Sequence, residues 1–512
     1  MQCEVNWLEA RARLTPSHVA IIDEPTGRRW TYQECNQRSN RLASYFQTEC
    51  KVGKGDRIAL LSANHLAHFD TLFACGKLGA IFVPLNIRLA VQELKYLLQD
   101  AQPRVLLVHE EYRSLITSLS MSMHLPPTIF IGEEAGDYDR IISSWIETYI
   151  PANVDQEDPL LIIYTGGTTG LPKGAVISHR AVTWNSINTI ISWGLTSYDI
   201  SPIYMPLFHT GGINALALPI LHAGGTIIIP NKFQPDEAIQ LLERERCTVV
   251  LLVPTMYQML LESPLFYSTT FTAMKVFLSG GAPCPLNIYE AFWEKGLVFK
   301  EGYGLTEAGP NNFYIDPIDV PRKRGSVGKV MFHQRARIVD EIGQDVPIGR
   351  VGELIIQGPH LFSYYWNNQE ATVNAFLDGW LRTGDLVRQD ADGFFYIVGR
   401  RKEMLISGGE NVYPLEVEHC IREYAGVAEV AVVGIPHPKW GEQVTAALIL
   451  SQTISLEKLR EFCRERLASY KIPKAFYVVD ELPKTSVGKI NKQLLREQLE
   501  SIKMESIKKP LH

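Results

Sequence analysis

The chain has no Gly-Lys-Ser/Thr segment opening a helix and no Gly-x-Gly-x-x-Gly turn at a strand end. The first absence excludes the Walker phosphate loop, in which a helix N-terminus holds the phosphates, and the second excludes a Rossmann-type dinucleotide site. Nor is there a surplus of positive charge, since 50 Lys and Arg face 56 Asp and Glu for a net charge of −6. That leaves no electrostatic footprint for nucleic acid or for an anionic lipid surface. The eight cysteines, Cys3, Cys35, Cys50, Cys75, Cys247, Cys284, Cys420 and Cys463, form no Cys-x-x-Cys pair and no metal-ligand spacing with histidine. They read as reduced thiols and place the protein in the cytoplasm. Residues Met1 to Ser17 mix Glu4, Glu9, Arg11 and Arg13 with apolar residues, which suits neither a secretory signal nor a transit peptide. No apolar run has membrane-spanning length; Ala215 to Ile229 comes nearest, and His222 and two glycines interrupt it. Repeats and low-complexity tracts are lacking as well.

What is present stands between two apolar runs, Leu160 to Ile163 and Ala175 to Ile177. The intervening residues are Tyr164, Thr165, Gly166, Gly167, Thr168, Thr169, Gly170, Leu171, Pro172, Lys173 and Gly174: four glycines, three threonines and one lysine in eleven residues. Glycine lets successive backbone N–H groups turn toward one anion, while threonine hydroxyls and Lys173 add donors and charge. The segment is expected to be a phosphate cradle in a strand–loop–strand hairpin, marking a nucleoside triphosphate as ligand. A merely flexible surface hairpin has no need of that donor set.

At 512 residues the chain exceeds one hydrophobic core, so more than one domain is expected. From Asp56 onward, strand-like runs at Arg57–Leu61, Ala80–Leu85, Val105–His109, Thr128–Ile131, Thr226–Ile229 and Val249–Val253 alternate with helical patterns such as Pro235–Arg246. The alternation argues for a layered α/β fold with largely parallel sheets. After Gly352 strand-like pieces crowd together, Glu353–Gln357 and Phe394–Val398, with Asp-Gly turns at 378–379 and 392–393. This reads as a β-rich subdomain. Residues 1–398 are thus expected to form a large N-terminal region. The charged, then glycine-rich, then proline-closed run 399–414 is expected to be a hinge linker, and 415–512 a small α+β cap within the usual domain size. In the cap, Leu415–Glu423 and Leu456–Leu467 read as helices, Glu429–Gly434 and Thr445–Leu450 as strands, and the basic tail after Ile502 as a frayed end.

Beside the phosphate loop the chain carries Gly-Tyr-Gly-Leu-Thr-Glu at 302–307, Leu-Arg-Thr-Gly-Asp-Leu at 381–386, Gly-Arg-Arg-Lys-Glu at 399–403 and Pro-Lys-Thr-Ser-Val-Gly-Lys at 483–489. In that order the five segments resemble the motifs of the AMP-binding, adenylate-forming superfamily, which includes acyl-CoA synthetases, luciferase and the adenylation domains of peptide synthetases. The resemblance spans nearly the whole chain. It implies ATP and Mg2+ as cofactors and coenzyme A as cosubstrate, with a small-molecule carboxylic acid as the other substrate.

The resemblance also assigns residues. Thr165, Lys173 and the loop glycines and threonines would hold phosphates. Gly302, Tyr303, Gly304 and Thr306 would meet the nucleotide, with Tyr303 offering a flat face to adenine, and Glu307 would supply a hard oxygen to magnesium. Alone, Tyr303 would pass for a core tyrosine and Glu307 for a helix-start carboxylate. Gly280, Gly281 and Ala282 would flank the purine, although a strand-ending turn is almost as good a reading. Asp385 suits the paired ribose hydroxyls, because an ionised carboxylate accepts two hydrogen bonds; a turn aspartate is its bland alternative. Arg400 would touch the same ribose. Lys489 would carry the first step, since a carboxylate meeting an α-phosphate needs a cation between two anions.

Lys402 occupies the hinge position, about which the cap would swing between adenylation and thioester formation. Gly408 and Gly409 would then line a tunnel for the pantetheine thiol. Trp440, Tyr470 and Lys474 would contact the nucleotide of coenzyme A, with ordinary packing as a close rival. His209, in Met205–Asn214, would stand between the acyl pocket and that tunnel. Amino-acid-activating relatives carry an aspartate near this point, whereas here the run is Phe208, His209, Thr210, Gly211 and Gly212. An uncharged acyl group is favoured, and the aliphatic Val249–Val253 suits a hydrocarbon wall or an ordinary buried strand alike.

Departures from the family pattern are Gly166 in place of a common serine and Val487 in place of a small residue; neither removes a charge or a nucleophile. The leading expectation is an acid–CoA ligase for a medium- to long-chain fatty acid, working through an acyl-adenylate. An aromatic or alicyclic acid is the near alternative. An acyl-AMP ligase loading a separate carrier protein is another, the chain ending 23 residues past Lys489 with no room for a fused carrier. A catalytically silent nucleotide-binding relative stands in a different class. A homodimer stays open.

Overall fold

The computed structural model describes residues 5–132, 136–165, 171–282, 284–407, 410–485 and 489–508. The chain divides into two compact units, the first made of Met1–Ala336 and Ile355–Thr383, the second of Arg337–Leu354 and Gly384–His512. The segment 399–414, expected as a linker, lies inside the second unit. No helix among the described residues is long and apolar enough to cross a membrane.

In the first unit a seven-stranded sheet runs in the order Tyr364–Tyr365, Lys173–Ser178, Pro159–Thr165, Ile81–Leu85, Arg57–Leu61, Val105–His109, Thr128–Ile131. Its last five strands are mutually parallel, and Lys173–Ser178 is antiparallel to both of its neighbours. Parallel strands covered on both faces read as continuous apolar runs. Ile58, Ala59, Leu60 and Leu61 are accordingly all buried, as are Val105 to Val108. Leu94, Leu97, Leu98 and Ala101, one stripe of the helix Val91–Ala101, close the core against them.

A smaller parallel sheet holds Val249–Leu252, Val276–Ser279 and Phe299–Glu301. Its register aligns Leu252 with Ser279 and Ser279 with Glu301, so three carboxyl ends finish side by side. The edge made by such ends is where open α/β sheets bind ligands. Behind it Tyr257, Phe277, Phe292 and Phe299 form an aromatic core, with Phe277 and Phe299 each 4.8 Å from the Phe292 ring. The stretch 215–229, the longest apolar run, resolves into short helical segments ending at Ala223 and the strand Thr226–Ile229, with Gly224 left-handed between them.

In the second unit Asp385–Gln389 pairs antiparallel with Phe395–Arg400, setting Asp385 opposite Arg400. Beyond lies a five-stranded sheet of Leu405–Ser407, Glu410–Val412, Val427–His437, Gly441–Leu450 and Ala475–Val478. Successive side chains of Val427–His437 point to opposite faces, as strand geometry requires. Val430 and Val432 pack with Val417, Ile421 and Leu459, while Ala431, Val433 and Ile435 pack with Leu495 and Leu499. A two-sided sheet of this kind needs a helix on each face. The second cover is the helix Lys492–Lys508, so residues 503–508, expected as part of a frayed basic tail, continue that helix, and 509–512 lie outside the described residues.

Candidate active site

The hairpin of Pro159–Thr165 and Lys173–Ser178 sets Thr165 opposite Lys173 at the mouth of the phosphate loop. Gly166, Gly167, Thr168, Thr169 and Gly170 lie outside the described residues. At the mouth, Tyr365 Oη donates a 2.7 Å hydrogen bond to Glu307 Oε1. Thr165 Oγ1 approaches the same oxygen at 3.5 Å, a near contact rather than a full bond. Lys173 Nζ sits 5.4 Å from the centre of the Tyr365 ring. The backbone of Glu307 is held too, because Phe362 N–H donates to its carbonyl at 2.8 Å. Three segments distant in sequence thus converge on one carboxylate. Tyr164 is used differently: its hydroxyl donates to Asp100 at 2.6 Å, which roots the loop in the core.

No group of three or more His, Cys, Asp or Glu able to hold a metal exists among the described residues. Magnesium on a triphosphate has no use for such a cage, since it keeps water and phosphate oxygens and takes one or two protein carboxylates. Glu307 and the Thr165 hydroxyl present hard oxygens of that kind, so the donor set fits, and Glu307 would hold the ion.

The second part of the site lies on the ligand edge of the small parallel sheet. Gly280 and Gly281 follow Ser279, with Gly281 at φ +84°, and Gly302 N–H donates to the Ser279 carbonyl at 2.8 Å. The two glycine turns therefore lie next to each other, Ala282 exposed at the rim. Tyr303 is half-buried and edge-on to Phe313 at 5.7 Å. A Cβ added at Gly304 would lie 2.2 Å from the backbone of Pro310, so this glycine is required by packing as well as by any ligand. Thr306 is buried.

His209 caps the turn Thr210–Gly212, its Nδ1 accepting from Gly211 N–H at 3.1 Å. In the neutral ring this leaves the proton on Nε2. A Cβ at Gly212 would fall 2.1 Å from the Pro206 carbonyl oxygen, which fixes the shape of this corner.

In the second unit Arg400 Nε lies 2.7 Å from Asp385 Oδ1, with Asp385 only 3% exposed. Lys489 joins this pair. Its ammonium is held below the usual lysine range by desolvation and then by Arg400, while Asp385 and Glu403 act in the opposite sense. Much of the Lys489 side chain remains open to solvent, which screens these effects. Thr485 N–H donates to the Lys489 carbonyl at 2.6 Å. Lys402 is exposed in the turn Arg401–Glu403, while Gly408 and Gly409 lie outside the described residues.

Lys474 Nζ donates to the Ser469 carbonyl at 3.0 Å and sits 5.7 Å from the Trp440 ring. Tyr470 has Lys471 Nζ 5.8 Å from its ring. A cavity of about 390 Å³ opens here, lined by Arg460, Arg464, Leu467, Ser469, Ile472, Pro473 and Lys474. Burial and the nearby Arg460 and Arg464 push Lys474 down. Sequence reasoning missed Arg460, Arg464 and Tyr365. The arginines sit on the surface face of an ordinary amphipathic helix, and Tyr365 belongs to an aromatic triplet that reads equally well as core.

Residues 8–366 match the AMP-binding enzyme family and residues 416–489 the AMP-binding enzyme C-terminal domain. A feruloyl-CoA synthase of Amycolatopsis sp is 38% identical over 96% of this chain and 98% of its own. A long-chain-fatty-acid–CoA ligase of Mycobacterium tuberculosis is 33% identical over 96% and 98%. The crystal structure of ATP-bound MatB from Rhodopseudomonas palustris superposes with TM-score 0.90 at 31% identity, covering 98% of this chain and all of the other. The chain belongs to the AMP-binding enzyme family, in its CoA-synthetase branch of acid–thiol ligases.

Proposed function

We propose that the protein joins an aromatic carboxylic acid to coenzyme A in two steps. The enzyme is an acid–thiol ligase that uses ATP, Mg2+ and coenzyme A; the acyl class is the finer reading. One observation favours it over the fatty acid: the feruloyl-CoA synthase shares more identity with this chain than the fatty-acid ligase does. The run Phe208–Gly212 offers no carboxylate to pair with a substrate ammonium, and Val249, Val250 and Leu252 are buried and uncharged, which suits an uncharged acyl group of either class. The medium- to long-chain fatty acid favoured by sequence reasoning becomes the second reading, kept by the 33% identical relative.

The chemistry is carried by the Thr165–Lys173–Glu307–Tyr365 constellation. Lys173 and Thr165 bind the triphosphate at the loop mouth, and Glu307 holds magnesium, which when bound neutralises phosphate charge. A carboxylate oxygen of the acid attacks the α-phosphorus, the bond to the bridging oxygen breaks, and pyrophosphate leaves. Lys489 places its cation where two anions meet, and Asp385 with Arg400 orients the ribose. In the second step the thiol sulfur attacks the acyl carbonyl and AMP leaves with the bonding pair. One arrangement cannot both hold Lys489 at the phosphorus and admit a thiol to that carbonyl. Lys402, exposed in the turn Arg401–Glu403, would be the pivot between them. Trp440, Tyr470 and Lys474 receive the nucleotide of coenzyme A.

The test is ATP- and CoA-dependent AMP release across benzoic, cinnamic and arylacetic acids and straight-chain acids of about C6 to C16. Aromatic acids should give the highest kcat/KM. A straight-chain acid outrunning all of them would replace the reading with the fatty-acid one, and release with a carrier protein but not with coenzyme A would replace the acceptor.

A further inference from the structure

We propose that Tyr365 is the positioning residue that aims Glu307 at the metal of the bound triphosphate and steadies Lys173 beside it. The inference rests on Glu307 as the magnesium ligand. Its basis is the double use of one side chain. The hydroxyl edge of Tyr365 donates to Glu307 Oε1 at 2.7 Å, and its ring faces Lys173 Nζ at 5.4 Å, within cation–π range.

Neither contact is incidental, because the backbone around Tyr365 is fastened on both sides. Tyr365 pairs with Ala175, two residues from Lys173, in a short antiparallel ladder. Ser363 N–H donates to the Val176 carbonyl at 2.8 Å and Trp366 N–H to the Gly174 carbonyl at 2.7 Å. Phe362 N–H holds the Glu307 carbonyl, and the Phe362 ring meets the Tyr365 ring edge-on at 4.9 Å. Tyr365 N–H itself donates to Thr372 Oγ1 at 3.0 Å. Segment 362–366 is therefore a brace that ties the strand leaving the phosphate loop to the carboxylate facing it.

The geometry also assigns the two carboxylate oxygens. Tyr365 donates to Oε1, and the Thr165 near contact ends on the same atom, so both contacts are spent on one oxygen of the carboxylate. A carboxylate held at one oxygen presents the other in a fixed direction, which is what a partner outside the metal's own ligands contributes. The phenol is the donor in this contact, because a carboxylate oxygen can only accept.

The experiment compares Tyr365→Phe, Tyr365→Leu and Glu307→Gln in the full-length protein. Mn2+ stands in for magnesium, with a nonhydrolysable ATP analogue present, and free Mn2+ is read by electron paramagnetic resonance; adenylation at varied Mg2+ and apo thermal melting run in parallel. Tyr365→Phe keeps the ring and removes only the donor. It should weaken Mn2+ affinity about tenfold or more, within the 10- to 100-fold range typical of such partners, with the melting point unchanged. Tyr365→Leu should in addition raise the KM for ATP roughly two- to fivefold, the worth of an exposed cation–π contact. In a Glu307→Gln background the Tyr365→Phe effect should disappear. Unchanged Mn2+ affinity in Tyr365→Phe, with a clear loss in Glu307→Gln, overturns the role of Tyr365 alone. Unchanged affinity in both overturns Glu307 as the ligand. A loss that persists undiminished in the double variant shows that Tyr365 acts by another route and also overturns the proposal.

Discussion

Replacing Asp385 by asparagine separates two roles that the same geometry supports, ribose ligand and counter-ion of Arg400. The side chain is 3% exposed and lies 2.7 Å from Arg400 Nε, whose own side chain is 40% exposed. Asparagine keeps the shape and one acceptor oxygen but removes the charge. For the fold, what decides the cost is the charge left behind. Arg400 is stranded, but it reaches water, so the loss is on the scale of an exposed pair, about 1 kcal/mol or less. Arg400→Ala is the opposite case, because it removes the counter-ion of a nearly buried carboxylate, a change that costs up to about 3 kcal/mol. Nearby Lys489 offsets part of that cost. For the ligand, a charged acceptor that loses its charge gives up about 1.5–3 kcal/mol, or roughly 10- to 150-fold in kcat/KM for ATP. The expected pattern is thus a crossed one. Asp385→Asn should melt close to the parent yet need far more ATP, and Arg400→Ala should melt clearly lower. Carboxylate-dependent pyrophosphate exchange at varied ATP gives the first quantity, and urea unfolding monitored by tryptophan fluorescence the second. If Asp385→Asn lost as much stability as Arg400→Ala and left the ATP dependence unchanged, the carboxylate would be a counter-ion only.

Lys489→Ala should lower acyl-AMP formation on the order of 100- to 1000-fold while leaving thioester formation from supplied acyl-AMP largely intact; an equal fall in both half-reactions, measured by stopped-time quench, would refute the division of labour between the two steps. Acid lability is the other expectation. Burial pushes His65, His179, His222, His360 and His419 down to about 4 and His68 to about 3, from an ordinary 6.5. Neutral when folded and charged when unfolded, they bind more protons in the unfolded chain between those values. Their contribution is complete above pH 6.5 and is lost as pH falls from there toward 4, with a slope of up to about 1.4 kcal/mol per pH unit for each proton taken up. Urea midpoints at pH 7.5, 6 and 5 should fall steeply, and a flat series would show that these rings are already protonated or already exposed.

Much of the fold was legible because its signals are local. The strands Arg57–Leu61, Val105–His109, Thr128–Ile131 and Thr226–Ile229 occur at the residues their apolar runs marked. A strand buried on both faces announces itself as an unbroken stretch of aliphatic side chains between turn residues. The paired strands Pro159–Thr165 and Lys173–Ser178 were legible for the same reason, their apolar runs marking both. The strand Val427–His437 runs longer than Glu429–Gly434 because pairing with Gly441–Leu450 continues past Pro436, a position whose missing N–H discourages a strand assignment from composition. The helix Lys492–Lys508 shows the limit from the other side. Its buried stripe is only Leu495 and Leu499 among the described side chains, and a run of charge hides so narrow a face.

The site divides along the same line, between contacts made within a motif and contacts made across the chain. Asp385 and Arg400 sit in separate motifs, yet their pairing follows from one antiparallel register set by a tight turn, so short-range rules nearly suffice to place them together. Tyr365 and Glu307 are 58 positions apart, and nothing in the intervening sequence states that a two-residue strand will lie on the outer edge of Lys173–Ser178. An edge strand of that length has no periodicity to detect. It exists only because Gly174 and Val176 offer carbonyls outward and Ser363 and Trp366 supply the N–H groups that meet them. A motif therefore marks Glu307 in a short window, while its contact with Tyr365 is fixed by pairing that no short window contains. The proposed acyl preference would be of the second kind, since Val249–Leu252 and the turn capped by His209 belong to elements distant in sequence.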